Sequence, residues 1–523
     1  MRGDMGRQES RSPRDGVIVP LVVFVFGVVL WAITVIHTQF KLEDAYITFR
    51  YSANIANGAG FVFNPGERVL GTTTPLQTLI LALIAYPFGP RAVPAVASII
   101  MPIFGLLAGL VLYSILVRRR VPISAACLGM GLLYTSVKVI RTGIGGMETP
   151  LALLLMALSL WALIRERPIA TGVFCGLLAL CRIDGLIWVM LIFGATLLRS
   201  RKSFLVQGVA FVLTMLPWIV FATLYFGSPV PNSMVAKGVV RPGMAYELFD
   251  PARVKAYVLW FVSGTGIGEN VRLFPFWFAI LAIGAWRVLK NGARDLSVLV
   301  VYPFVYAVMM YLGRAPRYEW YLLPITFVSL PVAAIGLYEI YQAAASRILG
   351  RKMKAVAYVG AALVIVIGAG YCSQVAPVML RHMRAGQENE DRFRRVVGIW
   401  LRDHSQPGDT VAMEAIGYQG YYSEMRVIDM AGLVTPRAVE FKRRTRYNGQ
   451  IFDWVLRDFK PDYIVLRSFE VDTNQHFNGG PLFLTSEKET QFHSAYKEAA
   501  RFVAPYPDSA PLVRHLTVYQ RVR

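Results

Sequence analysis

Hydrophobic residues gather in long unbroken runs in this chain, not in the alternating or three-to-four-residue patterns of water-soluble strands and helices. Eleven runs, at 17–37, 92–117, 121–140, 149–164, 168–181, 185–198, 204–226, 273–287, 296–312, 320–341 and 355–372, are long enough, or nearly so, for tilted membrane-spanning helices. One further run, Thr74 to Phe88, is short and bracketed by Pro75 and by Pro87, Pro90 and Pro94. Proline at both ends favours a helix that stops early, so 74–88 is expected as a juxtamembrane or re-entrant helix. From Ser373 the pattern changes, with no window apolar enough to span. There a helix is expected near 387–404 and another at 450–458, with strands at Thr410–Ala415, Val427–Met430, Tyr463–Leu466 and Leu516–Val522.

The expected architecture is an α-helical polytopic membrane protein of about eleven transmembrane helices plus a small extracytoplasmic α/β C-terminal domain. Residues 1–16 form a cytoplasmic N-terminal segment, 17–372 the transmembrane domain with a first outer loop at 38–91, and 373–523 the α/β domain.

Composition agrees: 55% of the 523 residues are hydrophobic and only 17% charged, which excludes an ordinary soluble globular protein. The net charge of +21 would suggest nucleic acid in a soluble chain, but here its placement matters more. With 74–88 not spanning, the short connections at 118–120, 165–167, 199–202, 287–294 and 347–354 hold fifteen Lys and Arg, against five on the other side. That asymmetry is the positive-inside pattern, so the N-terminus is expected in the cytoplasm and the C-terminus outside. Arg2, Arg7, Arg11 and Arg14 precede the first run without a small-residue cleavage pattern, as in a retained anchor. Topology thus accounts for the basic charge, and no nucleic-acid partner is expected. The four cysteines lack paired or metal-ligand spacing and read as small apolar residues.

Polar, turn-rich segments share the outer face. They are Lys41 to Tyr51, Asn57 to Arg68, Gly71 to Pro75, Arg141 to Pro150, Cys181 to Gly185, Pro229 to Lys237 and Gly313 to Glu319. Acids and bases meeting at a membrane surface suit a reaction between a lipid-borne phosphate ester and an outside acceptor. Polyprenyl phosphate is a good leaving group, so sugar transfer from it needs a carboxylate near the attacking hydroxyl and cations on the departing phosphate. Asp44 and Glu43 follow the first span, where a base reaches a hydroxyl arriving from water. Glu148 can orient Asp44, hold the acceptor or help bind a cation. Lys237, Arg317 and Arg182 are phosphate candidates, and Asp184 and Asn232 complete the substrate-binding candidates.

Each has a plainer reading. Glu43-Asp44 suits a helix N-cap, and Gly145 to Pro150 a turn that starts a helix. Arg182 and Asp184 suit an ion pair at a span end, and Lys237 and Arg317 interfacial anchors. The six histidines show no metal spacing.

In order along the chain these segments carry more. Glu43-Asp44-Ala45-Tyr46-Ile47-Thr48-Phe49-Arg50-Tyr51, then Gly60 to Val69 and Thr74-Pro75-Leu76, resemble the first outer loop of the bacterial terminal arabinofuranosyltransferase family, within the GT-C superfamily of polyprenyl-phosphate-sugar glycosyltransferases. The resemblance continues through Gly146 to Leu151, Arg182 to Gly185, Pro231-Asn232-Ser233 with Lys237, and Gly417 to Leu433. It implies a GT-C fold, a polyprenyl-phosphate sugar donor, an extracytoplasmic glycan or glycolipid acceptor, and a bacterial inner-membrane location. It makes Asp44 the catalytic base and Glu43 its acidic neighbour. The chain departs from the pattern with Glu43 where relatives often have a second Asp, and Ile183 where they often have Pro. Arabinofuranose is the first choice of sugar.

Three other classes compete: a ligase of lipid-linked oligosaccharide, a lipid or sugar transporter, and a receptor whose tail is the binding module. Transporters usually carry ionisable residues or broken helices at mid-membrane; here only Lys138 lies clearly inside a run, near its outer end. No cofactor is assigned, although a divalent cation is compatible with the acids. The tyrosine-rich stretch Tyr418 to Tyr422 suits either glycan recognition or helix packing.

Overall fold

The computed structural model describes residues 15–239, 250–267, 273–290, 294–349, 375–445, 448–475, 480–505 and 513–522. Among the described residues fifteen α-helices precede the tail: α1 (Asp15–Thr38), α2 (Ala45–Ala56), α3 (Pro75–Ala85), α4 (Val93–Arg118), α5 (Ile123–Thr135), α6 (Val137–Ile144), α7 (Thr149–Ile164), α8 (Pro168–Cys181), α9 (Gly185–Leu197), α10 (Arg201–Phe226), α11 (Asn232–Lys237), α12 (Pro251–Val262), α13 (Phe274–Lys290), α14 (Ser297–Leu312) and α15 (Leu323–Leu349). Ten of the eleven apolar runs are thus helical, and 355–372 lies outside the described residues. Four helices are long and apolar enough to cross a membrane unaided: those spanning Val17–Thr38, Pro90–Arg118, Arg201–Phe226 and Leu323–Ser346.

The run at 121–140 is not one helix. Ser136 leaves helical geometry (ψ 118), and α5 and α6 meet there with a bend of 58°. The break frees the Tyr134 carbonyl, which accepts a hydrogen bond from the Trp31 indole at 3.0 Å. The run at 74–88 is α3 followed by a short 3₁₀ turn, begun by Pro75 at a position where its missing N–H costs nothing.

Backbone closeness, more than side-chain mass, holds the bundle together. A methyl on Gly284 would lie 2.0 Å from the Val332 carbonyl, and one on Gly336 equally close to that of Ile280, so α13 and α15 cross glycine on glycine. Gly172 and Gly176 admit α10 to α8 in the same way. Small residues four apart are how membrane helices approach, since lipid gives apolar side chains no reason to leave it. Accordingly α10 turns Leu205, Val209, Leu213 and Leu224 outward, while α7 is almost wholly buried. Cys127, Cys175 and Cys181 are free and buried, as expected of apolar residues.

The connections separate by end. At one, Arg119 and Arg199 both pair with buried Asp295. At the other lie α2, α3, α11 and the tail.

In the tail, α16 (Ala376–Arg392) and α17 (Arg394–His404) are separate helices broken at Phe393 (φ −120, ψ −82), where a single helix near 387–404 was expected. A five-stranded sheet follows: β1 (Thr410–Met413), β2 (Arg426–Asp429), β3 (Tyr463–Arg467), β4 (Tyr496–Val503) and β5 (His515–Arg521), in the order β2-β1-β3-β5-β4. β1 is parallel to β2 and β3, whereas β5 is antiparallel to both β3 and β4. The expected strands are present. β4 was not anticipated, because this edge strand is mostly exposed and carries charge, leaving no apolar alternation to read. At the opposite edge the first loop takes the place of a strand. Asn64 donates to the Val427 carbonyl at 2.9 Å and accepts from the Val427 amide at 3.0 Å. Arg50, fully sequestered, donates to the carbonyls of Phe63, Gly420 and Met425.

Candidate active site

Three acids of the site, Asp44, Glu148 and Asp184, occupy the N-cap positions of α2, α7 and α9, and none uses its side chain to cap its helix. The N-cap reading therefore fails at the level of the side chain. Each carboxylate still benefits from the positive end of the helix dipole while remaining available to other partners.

Glu148 and Asp184 converge on Arg182. Its guanidinium grips Asp184 through two bonds, Nε to Oδ1 at 2.9 Å and Nη2 to Oδ2 at 2.8 Å, and reaches Glu148 Oε1 at 2.6 Å through Nη1. The Tyr306 hydroxyl donates to Asp184 Oδ2 at 2.6 Å, and the Arg182 guanidinium stands 5.1 Å from the centre of the Tyr321 ring. Burial opposes the Asp184 charge, but Arg182 and Tyr306 outweigh it and hold the carboxyl below its ordinary range. For Glu148 burial prevails despite Arg182, and its carboxyl is pushed up. One guanidinium thus serves two acids unequally. The expected pair at the span end is real, and it extends to Glu148, which packs against Arg182.

Asp44 is partly exposed beside this triad. It hydrogen-bonds to Glu43 and lies within electrostatic reach of Glu148 and Tyr318. Glu43 Oε1 accepts the Gly417 amide at 2.6 Å. Burial, then the Asp44 carboxylate, push the Glu43 carboxyl up to about 8, with Arg394 opposing. Near neutral pH Glu43 therefore keeps a proton, since adjacent like charges are poorly accommodated in a desolvated site.

The two candidate phosphate cations each stand over an aromatic ring. Lys237 Nζ lies 5.7 Å from the centre of the Tyr318 ring, and Arg317 stands 5.8 Å from that of Tyr257. Asn232 is committed to the fold: its Nδ2 donates to the carbonyls of Gly432 (2.7 Å) and Leu433 (3.1 Å). Among the described residues no three His, Cys, Asp or Glu side chains converge as metal ligands.

Sequence reasoning missed Tyr306, Tyr318, Glu414 and Gly417. Tyr306 lies inside an apolar run and looks like ordinary span composition, and nothing local marks Glu414 or Gly417 as neighbours of residues 43 and 44. The tyrosine-rich stretch is packing: Tyr418 is buried against Tyr46, ring centroids 3.9 Å apart, and bonds to Gln387 through its hydroxyl.

Residues 381–519 match a family described as a domain of unknown function, DUF8728. A terminal β-(1→2)-arabinofuranosyltransferase of Mycobacterium tuberculosis (strain ATCC 25618 / H37Rv) is 26% identical over 249 residues. That alignment covers 42% of this chain and 37% of the relative, so the chain matches little more than a third of the relative's length. Two structures of ArnT from Cupriavidus metallidurans share the fold at 13% identity. The form bound to undecaprenyl phosphate has a TM-score of 0.55 over 95% of this chain and 97% of ArnT. The apo form has a TM-score of 0.58 over 97% and 98%. The chain accordingly shares the membrane fold of ArnT, and over the aligned residues its sequence is similar to that of the arabinofuranosyltransferase.

Proposed function

We propose that this multi-pass membrane protein is a glycosyltransferase that moves a sugar, arabinofuranose as first choice, from a polyprenyl-phosphate donor to an extracytoplasmic cell-envelope glycan. The observation that carries the reading is Asp44: a partly exposed carboxylate at a helix start, spared from capping, beside an acid pushed up until it holds its own proton. Asp44 accepts the proton of the acceptor hydroxyl as that oxygen attacks C1 of the sugar. The bond from C1 to the phosphate oxygen breaks, and the polyprenyl phosphate leaves with its charge met by Lys237 and Arg317. Arg182 is spent on Glu148 and Asp184, and in this scheme it shapes the wall of the site. Undecaprenyl phosphate in the ArnT structure supports a lipid-phosphate partner.

A bacterial inner membrane, with the N-terminus cytoplasmic and the sheet outside, is the setting we propose. It is supported by the gathering of Arg119 and Arg199 at the end of the bundle opposite the sheet. The transporter reading is weaker, because Asp44 and Glu43 lie at the start of a helix that packs against the tail.

The test is Asp44→Asn in purified protein given a polyprenyl-phosphate arabinofuranose donor. Transfer should fall by roughly 10²–10⁴-fold, the usual worth of a positioned general base, with the melting profile retained. Turnover at the original rate would refute the assignment.

A further inference from the structure

Where α4 turns into α5, a half-open depression of about 310 Å³ lies between that turn, α13 and α15, at the end of the bundle opposite the sheet. Its polar lining is Arg119, Arg287 and Glu339, and its apolar wall includes Val288, Leu296 and Ile335, each almost wholly buried. One turn earlier in each helix, α13 and α15 meet at Gly284 and Gly336. Beyond that crossing, Arg287 Nε donates to Glu339 Oε1 at 2.7 Å. Sugar transfer at Asp44 uses none of these groups.

Arg119 and Arg199 pair with the same carboxylate, Asp295, so within that triad positive charge is in excess. The Arg119 Nε is buried and meets no acceptor among the described residues. A buried donor in that state marks a place for an anion or a water. Arg118 and Arg120, its neighbours in sequence, are exposed and add to the charge. The level is that of the membrane surface: Trp286, next to Arg287, is 55% exposed, and Lys290 Nζ stands 4.5 Å from the centre of its ring. Exposed tryptophan and lysine side by side are the anchors of a headgroup boundary.

We propose that this depression binds the phosphodiester headgroup of an anionic phospholipid from the surrounding leaflet, with Arg119 and Arg287 on the phosphate and the apolar wall against the start of an acyl chain. Guanidinium forks match phosphate oxygens, and basic pockets between membrane helices hold lipid headgroups of this kind. Glu339 competes with the phosphate for Arg287. A free phosphate would share the polar lining but leave the apolar wall without a partner, which favours the lipid. The inference does not depend on the role of Asp44; it rests on the helix bundle lying in a membrane.

The experiment uses the full chain, purified in a neutral detergent, stripped of lipid and titrated with phosphatidylglycerol, phosphatidylcholine or inorganic phosphate, with thermal unfolding and native mass spectrometry as readouts. Phosphatidylglycerol should stay bound and raise the melting temperature, because a ligand held by the folded state stabilises it; the other two, at the same concentration, should do neither. Arg287→Gln and Arg119→Gln should each weaken phosphatidylglycerol binding about tenfold, the loss of one charged hydrogen bond. Glu339→Gln should strengthen it by removing the competitor, and it carries the test if the arginine variants do not fold. Equal responses to phosphatidylglycerol and phosphatidylcholine, a phosphate response matching that of the lipid, or wild-type binding in every variant that folds would overturn the site.

Discussion

The Gly417 amide donates to Glu43 Oε1 at 2.6 Å, a hydrogen bond between residues 374 positions apart that pins the tail to the acid preceding Asp44. Glu43 has two duties. One oxygen anchors the sheet, and the carboxyl, pushed up by burial and by Asp44, keeps a proton near neutral pH.

Gly417→Ala should break that anchor. A Cβ there would stand 2.2 Å from the Glu43 carbonyl oxygen and 2.5 Å from Oε1, and the first contact is backbone that cannot swing aside. A loss of about 1–3 kcal/mol in stability is expected, as for other overpacked sites, together with loss of transfer. Thermal unfolding of the purified variant measures it, and an unchanged melting temperature would show that the tail can slide.

Glu43 should set a pH limit. Its folded-state pKa of about 8 lies above the ordinary 4.5, so between those values the folded state binds more protons than the unfolded one. Stability then declines as pH rises through that window. Above about 8 the ionised Glu43 also repels Asp44, and transfer should change. Glu43→Gln should flatten the decline in melting temperature from pH 5 to pH 8. If the variant keeps the wild-type slope, another group carries it.

Arg182→Met should cost roughly 3–5 kcal/mol, because it leaves Glu148 and Asp184 buried without their shared cation. Arg182→Lys should cost less, yet a point charge cannot reproduce the fork on Asp184. Unfolding of the two variants in parallel distinguishes charge from geometry; equal losses would mean that the fork contributes nothing.

Lys237→Ala and Arg317→Ala should raise the donor KM by about tenfold or more, as expected on removing a charged hydrogen bond, and leave acceptor dependence near wild type. Both side chains face aromatic rings and make no ion pair among those observed, so stability should change little. A change confined to acceptor dependence would remove them from the phosphate.

Much of the bundle was legible because membrane burial writes itself into composition, with eleven described helices lying under ten of the apolar runs. Breaks were not. The bend at Ser136 frees the Tyr134 carbonyl for a Trp31 more than a hundred positions away, and the turn at Phe393 separates two helices that look continuous. β4 was hidden because an exposed edge strand has no apolar face. Asp44 and Glu43 could be singled out by their place after the first anchor, whereas nothing local showed that Asn232, named with Pro231 and Ser233, holds the tail.

The order of residues alone determined the spans, the uneven placement of basic connections, the strands of the parallel half-sheet and the acids that follow the first anchor. Each is a local property, set by what a short segment must bury or keep wet. Tertiary structure alone decided that Glu43 keeps a proton, which arginine is already spent, and that the Gly417 amide lands on Glu43. Those outcomes depend on distances between segments hundreds of positions apart, and desolvation and charge act through space without regard to the chain between them.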